Sequence, residues 1–496
     1  MRTPLLFSIP GLALCSSIGF GQLNETKLTA IDGSMSQDFG AGVSTSGDYA
    51  LVGAHHNGAT PGSAYIFHYN GVDWVDEAKL TAKDGEAFDY FGYGVSISGD
   101  YALVGAFFDV VNGLRSGSAY VFHHDGSMWA EEAKLTASDG EEFDYFGYSV
   151  SLSGEYAIVG AFNSNDNGMG SGSAYIFRHD GTNWVEESRL RASDGTAEDY
   201  FGYSVSVAGD YAFVGASGDS GFSGSVYVFH HDGADWVEEE KLTASDGMAE
   251  DNFGIRVSIS GDYALVGAPG EDDHGASSGS AYVFHYDGTR WVEEAKLTAS
   301  DAEEFDSFGY AVSLSGDKAL IGAYGDDDFA GSAYVFHYDG VSWVEGEKLT
   351  ASDGAEADFF GDAVSLSSAH ALIGAFGDDD NGEESGSAYV YSGFSATTAI
   401  LVPVEVDAPT IFELFQNHPN PFNPSTVIRY GLSQKAHVWL EVFNMLGQSV
   451  AVLVDGEQAA GFHSAVFEGK GLASGVYVYR LSAGSHVQSK RLILLR

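Results

Sequence analysis

Runs of carboxylates set among glycines and asparagines are the residues of this chain best suited to chemistry. They peak at Glu271-Asp272-Asp273, Asp326-Asp327-Asp328 and Asp378-Asp379-Asp380-Asn381. Oxygen ligands packed this densely suit calcium, a hard cation that takes many of them. Asp272, Asp273, Asp326, Asp327, Asp328, Asp378, Asp379 and Asp380 are therefore the candidate calcium ligands. A second acidic set recurs at regular intervals: Asp84 with Asp89, Asp139 with Asp144, Asp194 with Asp199, Asp246 with Asp251, Asp301 with Asp306, and Asp353 with Asp358. Its regularity reads as turn chemistry, in which an Asp side chain bonds nearby backbone. Other chemistry is thinner. His68, His123, His230, His285 and His337 recur after an aromatic residue, but the neighbours His123-His124 and His230-His231 face opposite sides of a strand, which argues against zinc. The segment from Gly275 to Gly279 matches G-x-S-x-G, yet it stands in an acidic loop rather than a strand-to-helix turn. Tryptophans from Trp74 to Trp343 begin strands and read as packing. No H-E-x-x-H, phosphate loop or catalytic triad is present, so no catalytic residue is expected.

A repeat of about 52 to 55 residues must position these loops. Phe39-Gly40, Phe91-Gly92, Phe146-Gly147, Phe201-Gly202, Phe253-Gly254, Phe308-Gly309 and Phe360-Gly361 mark its seven copies. Each is followed by a Gly-Ala pair, from Gly53-Ala54 to Gly374-Ala375. In the copy at Phe146, Ser149–Ser153 alternates, Gly154-Glu155 turns, Tyr156–Ala161 is rich in β-formers, and Ser173–His179 and Trp184–Ala192 follow. Four antiparallel strands per unit are predicted. Ala119-Tyr120-Val121-Phe122 is apolar on both faces, which suits sheets stacked radially as propeller blades. Glu131, Glu132 and Lys134 put charge on the fourth strand, as an outer edge requires.

Counting predicts a closed ring. The Lys-Leu-Thr-Ala segment, or its variant, begins at Lys27, Lys79, Lys134, Arg189, Lys241, Lys296 and Lys348. The first copy precedes the first Phe-Gly, and the last repeat lacks a fourth strand, so residues 25–30 are expected to complete the last blade. The fold class is thus all-β: a seven-bladed propeller of four-stranded blades over residues 22–395.

These residues resemble the FG-GAP repeat family, in the variant whose units read Leu-Thr-Ala-x-Asp-Gly, Phe-Gly, Val-Gly-Ala, Tyr-Val-Phe and Trp. The resemblance implies an extracellular seven-bladed propeller related to the head of integrin α-chains. One departure matters. Integrin-type repeats carry a D-x-D-x-D-G calcium loop between the first two strands; here that connection is the tight turn Ser98–Tyr101. Integrin-type calcium sites are not carried over.

The ends differ from the repeat. Residues 1–21 hold Arg2, an apolar run and small residues, the pattern of a secretory signal peptide. The single cysteine, Cys15, falls inside it, so no disulfide is expected beyond it. Residues 396–409 read as a linker. From residue 410 short β-patterned runs, Val438–Phe443, Gly447–Leu453, Gly461–Phe467 and Val476–Leu481, suggest a small Ig-like β-sandwich. Asn417-His-Pro419-Asn420-Pro421-Phe, Asn444-Met-Leu-Gly447-Gln, Ser474-Gly475-Val-Tyr477 and the closing Lys490-Arg491-Leu-Ile-Leu-Leu-Arg resemble the type A C-terminal sorting domain of the type IX secretion system. That resemblance implies recognition by the secretion machinery, passage through an outer membrane, and release or anchoring at the surface. Nothing after residue 21 is apolar enough for a transmembrane helix.

Net charge is −49, and the segment from residue 410 carries only five of the 71 acidic residues. So acidic a propeller excludes nucleic acid, which needs a basic footprint. The expected function is a monomeric, secreted or surface-displayed binding and adhesion module that recognises a protein or glycan through its loop face. An extracellular polysaccharide lyase or hydrolase using loop carboxylates is the alternative, and a passive matrix component is a third. An enzyme would break the repeat symmetry with convergent His, Tyr, Arg or paired carboxylates. The repeats read as close to one consensus, which favours binding.

Overall fold

The computed structural model describes residues 23–33, 36–55, 60–393, 412–414, 425–432, 435–458, 461–469, 472–484 and 486–494. The expected signal peptide, the linker and the sorting-motif residues Asn417, Pro419, Asn420 and Pro421 lie outside them. The chain divides into two compact units, on either side of the bond between Thr397 and Thr398.

The described residues of the first unit form seven four-stranded antiparallel sheets. Blade 2 is typical: Phe91–Ser98, Tyr101–Ala106, Ser118–His124 and Trp129–Leu135, paired in that order. Alternation makes both faces of the second and third strands apolar, and each face is buried against a neighbouring blade. Leu51, Ala64 and Ile66 of blade 1 pack on Phe91, Val104 and Tyr120 of blade 2. The same interface closes the ring, where Leu372, Ala388 and Val390 of blade 7 meet Phe39, Val52 and Tyr65 of blade 1. Asn24–Leu28 supplies the fourth strand of blade 7, pairing antiparallel with Ser387–Ser392 so that Asn24 faces Ser392 and Leu28 faces Ala388.

Two sequence signatures hold adjacent blades in register. A serine hydroxyl on each inner strand accepts a backbone N–H from the next blade. Ser44 accepts from Ile97, Ser96 from Leu152, Ser151 from Val207, and so round to Ser365, which accepts from Thr45 at 2.9 Å. The glycine of each Gly-Ala pair lies against the backbone of the next Phe-Gly. A Cβ added at Gly105 would stand 1.9 Å from the Gly147 carbonyl oxygen, and one at Gly374 would stand 1.9 Å from that of Gly40. Only glycine allows this approach.

In the second unit a sheet of Glu413–Leu414, Ser425–Leu432 and Gly461–Glu468 accompanies a sheet of Ser449–Gln458, Ala436–Asn444, Gly475–Ala483 and His486–Leu494. They share one core, including Ile428, Tyr430, Val438, Leu440, Tyr479, Leu481 and Leu492. The strands Glu413–Leu414, Ser425–Leu432 and His486–Leu494 are additional to those read from the sequence.

Candidate functional site

The acidic loops gather at one end of the blades, and most of their carboxylates already have partners. The basic residue of each Lys-Leu-Thr-Ala copy leans over the tyrosine of the adjacent third strand, as Lys134 does over Tyr120 at 5.1 Å. It also reaches the Asp that follows the preceding fourth strand. Lys134 bonds Asp84 at 2.7 Å, and the Tyr120 hydroxyl donates to the same carboxylate at 2.9 Å. This Asp–Tyr–cation clasp occurs in all seven blades, through Asp32, Asp84, Asp139, Asp194, Asp246, Asp301 and Asp353. In blades 2 to 7 an acid from the loop inside the blade joins it: Asp109, Asp166, Asp219, Glu271, Asp326 and Asp378.

The candidate calcium ligands are distributed accordingly. Asp273 meets Lys296 at 2.7 Å, Asp326 meets Lys348 at 2.5 Å, and Asp378 and Asp380 meet Lys27 at 2.7 and 2.5 Å. Asp272 and Asp379 accept backbone N–H groups from Ser277 and Glu384. Asp327 and Asp328 lie in a left-handed turn, with φ of 51° and 58°. Burial opposes the Lys27 charge, but its bonds to Asp353, Asp378 and Asp380 outweigh that and hold the ammonium above its usual range. A lysine thus stands where the carboxylates converge. Among the described residues no three acidic, histidine or cysteine side chains form a metal-holding group. The second member of each regular Asp pair closes its own turn, as Asp144 does by accepting the Glu141 N–H at 2.7 Å.

A different set of residues converges on the ring axis. The chain enters each inner strand through Phe-Gly, and in blades 1, 2 and 4 the register with the second strand slips just after it. Such a bulge re-aims the intervening side chains. The position after Phe-Gly reads Ala41, Tyr93, Tyr148, Tyr203, Ile255, Tyr310 and Asp362 round the ring, with Arg256 beside Ile255. All of these but Ile255 line a cavity of about 440 Å³, together with Asp38, His55 and Phe376. A larger hollow of about 810 Å³ lies at Glu155, Arg178 and His179 of blade 3, but it is an open surface depression at the tight-turn end of one blade.

One side of the cavity is aromatic. Tyr93, Tyr148 and Tyr203 are joined hydroxyl to hydroxyl by two bonds of 2.9 Å, with Phe107 and Phe162 packed between their rings. The Arg256 guanidinium lies 5.8 Å from the Tyr203 ring centroid and 5.5 Å from that of Tyr310. Its hydrogen bond goes to the Ile255 carbonyl at 3.0 Å, and it makes no ion pair among the described residues. Burial pushes the Asp362 carboxyl up to about 6, against the pull of Arg256. Asp38, 3.5 Å from His55, is likewise raised to about 6 by burial and by Glu384. No expectation from the sequence fell on this column, most of which is the recurring tyrosine of Tyr93, Tyr148, Tyr203 and Tyr310. The signal was present as variation beside an invariant Phe-Gly.

The FG-GAP repeat profile matches residues 23–67, 74–122, 129–177, 184–229, 236–284, 291–336 and 343–391, well over half of the chain. The chain belongs to the FG-GAP repeat family. A secretion-system C-terminal sorting domain matches residues 417–495. This FG-GAP protein is therefore exported by the type IX system, to the cell surface or the medium. Among the described residues no helix is long and apolar enough to cross a membrane. No curated protein matches the chain. Among solved structures it is similar to PorZ, a surface component of the type IX secretion system of Porphyromonas gingivalis, at 10% identity and TM-score 0.43; the match covers 95% of this chain and 61% of PorZ. It is also similar to Sqt1 from Chaetomium thermophilum, at 11% identity and TM-score 0.42, covering 71% and 83% of the two chains. Likenesses this distant do not speak to ligands.

In the sorting domain the motif residues within the described part build local structure. Asn444 accepts the Leu446 and Gln448 N–H groups at 3.0 Å each, and Gly447 takes φ of 76° in that turn. Gly475 opens the strand that carries buried Tyr477, whose hydroxyl donates to the Ala473 carbonyl at 2.8 Å. Lys490 and Arg491 lie on the last strand, opposite Tyr479 and Val478.

The FG-GAP propeller has two opposed sets of acids. Burial raises Asp38, Asp89 and Asp362 to about 6 and shifts Asp144, Asp251, Asp306 and Asp358 upward. These groups hold protons in the folded state that the unfolded chain has released, so stability falls as pH rises from about 4 to about 6. Lys79 and Tyr65 hold Asp32 down, and Lys241 and Tyr227 hold Asp194 down. At Asp84, Asp246, Asp301 and Asp353 burial opposes the same bonds and loses. That stability is present above the unfolded carboxylate range and is lost as pH drops below about 4. The melting temperature is expected to peak at about pH 4 and to decline toward pH 7.5. Thermal melts across this range check it; a profile that rises from pH 5 to 7.5 contradicts it.

Proposed function

We propose that this protein is a secreted or surface-displayed binding and adhesion module, not an enzyme, that recognises an extracellular protein or glycan through its loop face. One observation carries the reading. Nearly everything that repeats holds the ring together, and the polar side chains that depart from the repeat meet in the axial cavity at the loop end. Exposed Phe88, Phe143, Phe222, Phe305 and Phe329 stand on the surrounding loops, each with positive φ, a strained state for a bulky residue. Exposed aromatics on a rigid frame favour contact with a partner.

A glycan and protein array probed with the purified full chain tests this. Specific hits weakened by Phe88→Ser with Phe143→Ser, at unchanged melting temperature, are the expected result; an array without hits sinks the reading. Running the array with calcium and again with chelator addresses a separate proposal, that calcium assists at Asp272, Asp273, Asp326–Asp328 and Asp378–Asp380. Such an ion must compete with Lys27, Lys296 and Lys348. Hits that survive chelation unchanged remove calcium from the mechanism.

A second reading, polysaccharide cleavage, is favoured by the same break in symmetry, since Arg, Tyr and Asp side chains do converge. Unsaturated uronate released from a polyuronate by the wild-type chain would support it over binding alone.

A further inference from the structure

The seven cations of the clasps are each held by carboxylates, but Arg256 is not. It lines the axial cavity between two tyrosine rings, bonded only to the backbone carbonyl of Ile255 among the described residues. In a chain of net charge −49, a guanidinium kept free of ion pairs at the end of a cavity is a specific arrangement. A guanidinium presents a planar fork of donors that matches a carboxylate. Around it are groups suited to hydroxyls rather than to further charge. Asp362 supplies an acceptor, and the Tyr310 hydroxyl has no bond among the described residues. The chain of Tyr93, Tyr148 and Tyr203 uses its hydroxyls on one another and leaves one terminal O–H to donate. The aromatic faces beside the guanidinium provide stacking surface for the C–H face of a ring. The volume, about 440 Å³, is in the range that encloses a small organic ligand.

From this arrangement we infer that the axial cavity is a binding site for a small hydroxylated carboxylate of the uronic-acid class, with its carboxylate on Arg256 and a ring hydroxyl on Asp362. The inference deepens the binding reading above and rests on it. Asp362 here has a second effect: its negative charge tempers the attraction of Arg256 for any anion, so the site favours a ligand that also brings a hydroxyl donor.

Calorimetric titration of the full chain with D-glucuronate, D-glucose and propionate tests it, since these carry both features, the hydroxyls alone, and the carboxylate alone. Glucuronate is expected to bind at least about tenfold more tightly than either of the others, a gap of about 1.4 kcal/mol. Arg256→Gln should abolish glucuronate binding. Should that variant fail to fold, Asp362→Asn provides an independent reading: it removes a repelling charge, so propionate should bind more tightly, while the advantage of glucuronate over propionate shrinks. Equal binding of glucose and glucuronate overturns the inference, as does an Asp362→Asn chain with unaltered preferences. Array hits that persist in Arg256→Gln, together with no glucuronate binding by the wild type, would overturn the cavity assignment while leaving the binding module standing. An array without hits would remove the module reading itself.

Discussion

Removal of residues 24–30 is expected to lower the melting temperature by about 6 °C. The segment buries Leu28 at the last interface, worth about 2 kcal/mol. Its five residues pair along the edge of Ser387–Ser392, adding net backbone bonds worth roughly 3 kcal/mol together. A loss of about 5 kcal/mol corresponds to a fall of about 6 °C in a domain of this size. The deletion also strips Lys27 from exposed Asp353 and from buried Asp378, leaving the buried carboxylate without its cation. Scanning calorimetry of intact and truncated chains decides the matter, and a melting temperature unchanged within about 2 °C would show that the strand adds nothing to closure.

A second large effect is expected from one methyl group. Gly105→Ala places a Cβ 1.9 Å from the Gly147 carbonyl oxygen, which belongs to the next blade's backbone and has no flexible end to yield. Two blades must part to admit it, at a cost of about 3 kcal/mol or more. Gly154→Ala is the control. Its Cβ meets nothing within 4 Å, although φ of 59° strains the residue, so about 1 kcal/mol is expected. Urea unfolding of the two variants compares them. Equal midpoints would show that the glycine spacing is not what sets blade contact.

The frame was legible because it is written seven times. Strand alternation, the two-residue turns and the orphan Lys27 copy sufficed to place every blade and its closing strand. Apolar patterning on both strand faces announced the stacking. The acidic loops were harder, because a carboxylate run reads alike whether it awaits a cation or already holds one. Lys27 and Asp378 are far apart in sequence and meet only when the ring closes, so their 2.7 Å pairing was invisible along the chain. The axial cavity was harder still. Tyr93, Arg256 and Asp362 come from three different blades, and of these only Arg256 and Asp362 depart from the repeat. Convergence at an axis is a property of rotation, which no one-dimensional periodicity expresses. In the sorting domain Ser425–Leu432 went unread because it follows directly on a proline-rich stretch without a break in composition.

The pairing of Asn24 with Ser392 also sets the order of events during synthesis. The strand Asn24–Leu28 must wait, unpaired, until almost the whole repeat array has followed it. Blades 1 to 6 are complete in sequence order and each gains its core from the blade just made, so growth proceeds from local contacts. The final step alone joins distant ends of the chain, and long-range closure of this kind is slow relative to local pairing. Until it happens, both terminal blades present an open apolar face. The time between the appearance of residue 30 and that of residue 392 is therefore the interval in which this protein is most exposed to aggregation and proteolysis.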